Sequence, residues 1–155
     1  MRKHLKYLIP FALAAMTPCV DATAGDQDPH LPSLSDLMVI TQLRQFKLWY
    51  SAQADNWKLA EYQDTQLEST LRRIVALYPE TSSLNQAKLV QDKMEPALSE
   101  MRGAVAEGNK KRFELAYRRV TDACNECHRV AGVGFIAVRV PKKSPFSNQE
   151  FEPTP

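Results

Sequence analysis

An all-α fold is what this chain predicts, and three features lead there. Glycine is scarce, at five in 155 residues. The stretch from about residue 34 to 128 is rich in Leu, Ala, Gln, Glu, Lys and Arg, which lose little on entering a helix. Apolar side chains recur there at three- and four-residue steps. Four helices with short connections make an antiparallel up-down four-helix bundle the economical architecture, with an extended C-terminal arm after it.

Residues 25–32, Gly-Asp-Gln-Asp-Pro-His-Leu-Pro, form a polar lead-in marked by prolines. Ser33 or Ser35 then caps a first helix of about 35–52, with Asp36 in its first turn. Leu34, Leu37, Met38, Thr41, Leu48 and Ala52 recur at helical spacing. Ile40, Leu43, Phe46, Trp49 and Tyr50 widen that stripe, so much of this helix is expected to be buried. Asp55 is the expected cap of a second helix, about 55–77, with Leu59, Tyr62, Leu67, Leu71, Ile74, Val75 and Tyr78 as its apolar positions. Pro79 ends it, because the residue before a proline is pushed out of the helical region. Thr81-Ser82-Ser83 makes a turn and cap for a third helix of about 84–106. Pro96 is expected to kink or restart that helix after Glu95. Gly108 closes it, and Asn109 caps a fourth helix of about 110–129. Phe113, Ala116, Tyr117, Val120 and Cys124 share one stripe of this last helix, which Cys127 and His128 extend into its final turn.

The first residues read as an export signal. Arg2, Lys3 and Lys6 precede an apolar run from Tyr7 to Met16, interrupted by Pro10. Ala22-Thr23-Ala24 fits a small-x-small cleavage site, so residues 1–24 are expected to be removed. The apolar run is too short for a membrane span. Lipid attachment at Cys19 is disfavoured because Pro18 stands where a small residue is wanted. Of the chain's 20 basic and 18 acidic residues, the segment 1–24 takes three and one, leaving 17 of each. A neutral mature chain argues against nucleic acid as a partner. Its length suits one domain, 25–130, followed by the arm, 131–155.

Chemistry concentrates at Cys124-Asn125-Glu126-Cys127-His128, a C-x-x-C-H sequence. Thiols at i and i+3 lie on one side of a helix, so both reach the two vinyl groups of a single haem. The histidine that follows becomes an axial ligand to its iron. Competing readings are a structural disulfide, a redox dithiol and half of a zinc site. Zinc would want two further ligands at a second spacing, and His4, Cys19 and His30 are unpaired. A redox dithiol would want a βαβ context that nothing upstream offers. One covalent haem c near the end of helix four is therefore expected, on Cys124 and Cys127, with His128 as proximal iron ligand. In an up-down bundle that end lies beside the start of helix one, which brings Leu34, Leu37, Met38 and Thr41 toward the iron. By the same geometry Met94 and Met101 are expected to lie too far away. No Ser-His-Asp set, glycine-rich phosphate loop or second metal motif occurs, so an enzymatic role is not expected.

A haem motif late in the chain, four helices before it and an exported N-terminus resemble the class II cytochromes c, over about residues 33–130. That family includes cytochrome c′ and the low-spin c-556 type. Class I cytochromes place the motif early and a methionine ligand after it, whereas no methionine follows His128. The resemblance implies a periplasmic protein carrying single electrons to and from other periplasmic redox proteins. In the c-556 type a methionine of the first helix binds iron opposite the histidine, and by resemblance that role falls to Met38. The alternatives are that Met38 is core filling, and that the iron is five-coordinate and binds nitric oxide or carbon monoxide as in cytochrome c′. His30 is a second distal candidate. Cytochrome c′ often pairs through its first two helices, which leaves a homodimer open here. The 27 residues after His128 depart from the family. Phe135, Ile136, Val138 and Val140 are too apolar for a free tail, so the arm is expected to pack back over the bundle. Trp49, Trp57 and Tyr62 read as packing at helix joints rather than an electron path. Arg44, Lys47 and Lys58 read as a solvated face or a docking patch, and Arg129 as a partner for a haem propionate or the helix dipole.

Overall fold

Ser33 starts the first helix by a reciprocal cap. Its Oγ accepts the Asp36 N–H at 3.1 Å, and Asp36 Oδ2 accepts the Ser33 N–H at 3.2 Å. The helix, α1, runs over Leu34–Gln53 in the computed structural model, which describes residues 31–81 and 84–153. The export segment with Cys19, His4 and His30, and the turn at 82–83, lie outside the described residues.

The second helix, α2, spans Trp57–Leu77. Its cap is Asn56, whose Oδ1 accepts the Leu59 N–H at 3.1 Å, and not Asp55 as the sequence predicts. Asp55 instead has φ 55°, a left-handed conformation that aspartate tolerates better than most residues. It turns the chain between the helices, and its carboxylate pairs with Lys110 at 3.3 Å. Pro79 follows the α2 end as expected, and Glu80–Thr81 then pairs antiparallel with Leu84–Asn85.

The predicted third helix is broken into three parts. A short α3, Gln86–Leu89, is capped by Asn85 and leads into a π-helical turn, Val90–Met94. Then α4 runs over Glu95–Ala106. Pro96 explains the break. It has no N–H to donate, and its ring would strike a regular carbonyl four residues back. The widened turn, in which the Glu95 N–H reaches Val90 O, makes room for it. Gly108 ends α4 with φ 59°, and a Cβ there would stand 3.4 Å from the Trp57 ring, so glycine serves both the turn and the close approach. Asn109 caps α5, Lys110–Val130.

Cross-links give the helix directions. Tyr78 Oη donates to Pro32 O at 2.8 Å, and the Arg44 guanidinium donates to Gln66 O, so α1 and α2 are antiparallel. Lys110 Nζ donates to Gln53 O at 2.7 Å while Gln45 Nε2 donates to Thr121 Oγ1 at 3.2 Å, so α1 and α5 are antiparallel. Ion pairs Arg112–Glu107 and Arg119–Glu100 run the same way between α4 and α5. The helix pairs α1–α2 and α4–α5 form the long seams, and α2–α4 and α1–α5 shorter ones. Leu37, Leu48, Leu67, Ile74, Leu98, Met101, Phe113, Tyr117 and Val120 fill the centre.

Burial on α1 is narrower than its apolar spacing suggests. Ile40 and Leu43 are exposed, because only the face toward α2 and α5 is covered. Tyr62 of α2 is exposed as well. Trp49 lies 4.8 Å from the Tyr117 ring and 6.0 Å from Phe113, and Trp57 lies 6.1 Å from Phe113. These centroid separations are those of packed aromatic pairs, so the two tryptophans pin the α1–α2–α5 joint and Tyr62 takes no part. Among the described residues no helix is long and apolar enough to cross a membrane.

Candidate functional site

The last two turns of α5 carry Cys124, Cys127 and His128, as the spacing predicts. Both thiols are free and half-buried against the core. Burial pushes the Cys124 thiol up to about 12, with Cys127 adding to the rise. Cys127 is also raised, first by burial and then by the Glu126 carboxylate, with Lys93 opposing. Both are therefore thiols rather than thiolates near neutral pH, the opposite of what a reactive redox dithiol needs. Among the described residues, no group of three or more His, Cys, Asp or Glu side chains is gathered as a zinc site requires.

The chain stops α5 just past the motif. Gly132 takes φ 74°, its N–H bonds Arg129 O at 3.1 Å, and the Val133 N–H bonds His128 O at 2.9 Å. That pair of hydrogen bonds with a left-handed glycine is a Schellman end, which satisfies the last carbonyls and reverses the chain. The Ile136 N–H bonds Val133 O at 2.8 Å, which completes the return. The Ile136 carbonyl then stands 2.6 Å from His128 Nδ1. A carbonyl only accepts, so Nδ1 is the donor in this contact, and in the neutral imidazole that tautomer keeps the lone pair on Nε2. Two residues on, Val138 bonds the Asn125 side chain through both its N–H, at 2.8 Å, and its carbonyl, at 2.9 Å.

The rest of the arm continues along α1. Pro141 is buried, Lys47 Nζ lies 5.3 Å from the Phe146 ring centre, Phe151 packs at a tilt against Tyr50 with ring centroids 5.7 Å apart, and Asn56 Nδ2 donates to Phe151 O at 3.1 Å. Phe135 and Ile136 stay exposed, against the expectation for so apolar a stretch. A cavity of about 460 Å³ lies between α1, α5 and the arm, lined among others by Gln42, Gln45, Phe46, Tyr117 and Arg139. Neither the two cysteines, nor His128, nor Met38 lines it.

Helix registers place the methionines. The Gln45–Thr121 bond sets the levels of α1 and α5. Met38 lies seven residues before Gln45 and His128 seven after Thr121, about 10 Å along each antiparallel helix, so the two share a level. Met38 is half-buried against the core. The Arg119–Glu100 pair gives the corresponding level on α4. Met94 is six residues before Glu100 and Asn125 six after Arg119, so Met94 is level with the motif. Lys93 acts electrostatically on both Glu126 and Cys127, which agrees. Met94 is buried, at 2 % exposure. The sequence-based exclusion of Met94 is thus overturned, because that helix starts only at Gln86 and its first turns lie beside the end of α5. Met101 stays two turns further in, as expected.

Two of the three proposed docking cations are engaged, Arg44 on Gln66 O and Lys47 over Phe146, which removes them from a free basic face. Arg129 pairs with Glu126 of its own helix. Comparison with protein-family models, curated proteins and solved structures finds no match to this chain.

The donor set fits a covalent haem. Two unpaired thiols lie one helical turn apart, and the adjacent imidazole has Nδ1 tied to a carbonyl, with Nε2 in no hydrogen bond among the described residues. Asn125 and Met94 are the residues that sequence reasoning missed. Asn125 had no detectable signal, since its partner lies 13 positions away in an irregular segment.

Proposed function

We propose that this chain is an exported c-type cytochrome carrying single electrons, built as an up-down four-helix bundle of the class II kind. Cys124 and Cys127 hold one haem c by thioether bonds, and His128 Nε2 is the proximal iron ligand. When bound, such a haem supplies a one-electron ferric–ferrous couple. The chain's own residues orient the histidine, exclude water from the bundle side of the motif and supply a distal thioether. Met38 is that distal ligand, supported by its level with His128 and its position on the inner half of α1. The partners are other redox proteins of the periplasm. The single observation that carries the reading is the Ile136 carbonyl at His128 Nδ1, because a metal-binding histidine characteristically donates its other N–H to such an acceptor.

The test is expression with a haem-attachment system, followed by intact-mass and visible spectra of wild type, Met38→Ala and Met94→Ala. The electron-carrier reading expects one covalent haem and a low-spin ferrous form that ignores carbon monoxide. It expects Met38→Ala alone to become high-spin and bind the gas. If Met94→Ala is the variant that opens the iron, the distal ligand belongs to the π-helical turn. If the wild type already binds carbon monoxide, the gas-binding reading replaces electron transfer. Absence of covalent haem sinks both.

A further inference from the structure

Three hydrogen bonds join the haem motif to residues 136–138, and they use two of its five positions. Asn125 is the unusual member. Its amide satisfies both backbone groups of Val138, as a neighbouring strand would, with Nδ2 donating to the carbonyl and Oδ1 accepting from the N–H. A side chain that both donates and accepts at this reach is required. Aspartate would lose the donor and alanine both. Apolar packing does little for residues 135 and 136, since Phe135 is 84 % exposed and Ile136 51 %, whereas Val138 is half-buried and Val140 packs on the core. The hydrogen bonds fix the Ile136 carbonyl and the Val138 backbone to the helix.

We propose that Asn125 is a positioning residue for the proximal histidine. By clamping Val138 it holds the Ile136 carbonyl, two residues back, against His128 Nδ1. This rests on the reading of His128 as iron ligand. An acceptor at Nδ1 makes the imidazole a stronger donor to a metal, favours the oxidised iron and lowers the reduction potential. The C-terminal arm is then part of the haem site rather than an appendage to it.

The experiment compares wild type, Asn125→Ala, Asn125→Asp and a chain ending at Gly134. In the holoproteins the readout is the reduction potential. In the haem-free, reduced proteins it is hydrogen exchange at the Val138 amide, except in the shortened chain, which lacks that residue. The potential is expected to move positive in Asn125→Ala and in the shortened chain alike, since both withdraw the Ile136 carbonyl. Exchange at Val138 is expected to rise at least tenfold in Asn125→Ala, and less in Asn125→Asp, which keeps an acceptor for that N–H. Unchanged exchange in Asn125→Ala overturns the clamp. Raised exchange with a potential equal to wild type overturns its action on the histidine, and the shortened chain checks that result without altering the motif. A chain that never acquires haem overturns the role toward iron together with the electron-carrier reading, and exchange in the haem-free protein separates that case from a clamp that does not form.

Discussion

Replacing Asp64 with asparagine should stabilise this protein at neutral and alkaline pH and not in acid. Asp64 lies on α2 with 4 % exposure, and its Oδ1 is buried with no hydrogen-bond partner. Glu68, one turn on, engages both nearby arginines, Arg72 at 3.3 Å and Arg102. Asp64 is left facing a like charge. Burial first, and Glu68 second, push its carboxyl up to about 7 from 3.8, with Arg102 pulling the other way. A carboxyl raised in the folded state holds its proton more tightly there than in the unfolded chain. Its contribution is therefore fully present below the unfolded value near 3.8, is lost as pH rises, and is gone above about 7. Three pH units correspond to about 4 kcal/mol, which sets the upper limit of the gain from an uncharged isostere at pH 8. For a domain of this size each kcal/mol moves Tm by roughly 4 °C. The assay is urea unfolding of wild type and Asp64→Asn at pH 4, 6 and 8. The difference between the two proteins should grow with pH, because groups common to both cancel. A constant difference across that range would show that Asp64 is not buried as a proton-holding group, and the electrostatic argument would fail.

Four further outcomes follow from other parts of the molecule. In the haem-free, reduced protein an alkylating agent should label Cys127 before Cys124. A thiol lifted to about 12 is only about one part in 10⁴ thiolate at pH 8, and peptide mapping against time reads the order. Phe113→Ala should cost about 3–5 kcal/mol, since Phe113 is fully buried and touches Trp49, Trp57 and Tyr117. Tyr117→Phe should cost only about 1 kcal/mol for the lost bond to Gln45 O at 3.1 Å, and denaturant midpoints distinguish the two. Asn56→Ala should cost about 1–2 kcal/mol as a lost helix cap. It should also hasten tryptic cleavage at Lys142 and Lys143, because Asn56 anchors the far end of the arm through Phe151 O.

The parts legible in the sequence were those with a local cause. Ser33, Asn109, Gly108, Pro79 and the helical spacing of Leu48, Leu67, Ile74 and Val120 act through neighbours within one or two turns, so the helices were found to within a few residues. The motif at Cys124–His128 was legible for the same reason, since its geometry lies within a single helix. Local readings failed where two local solutions competed. Asp55 and Asn56 can both cap, and the chain used Asp55 for a left-handed turn instead. Ile40 and Leu43 have the spacing of a core, but whether a partner covers them depends on helices elsewhere in the chain.

By itself, then, the sequence determined the helical class, the position of the breaks at Pro79 and Gly108, and the pairing of two thiols with a histidine on one helical face. Tertiary structure alone decided what that histidine faces. The Ile136 carbonyl and the Asn125–Val138 clamp join residues 8 and 13 positions apart through an irregular loop, and no periodicity marks such a contact. The level of Met94 beside the motif, and the pairing of Arg102 with Glu68 beside an Asp64 whose Oδ1 has no hydrogen-bond partner, were likewise set by helix register, which is fixed only once the helices pack.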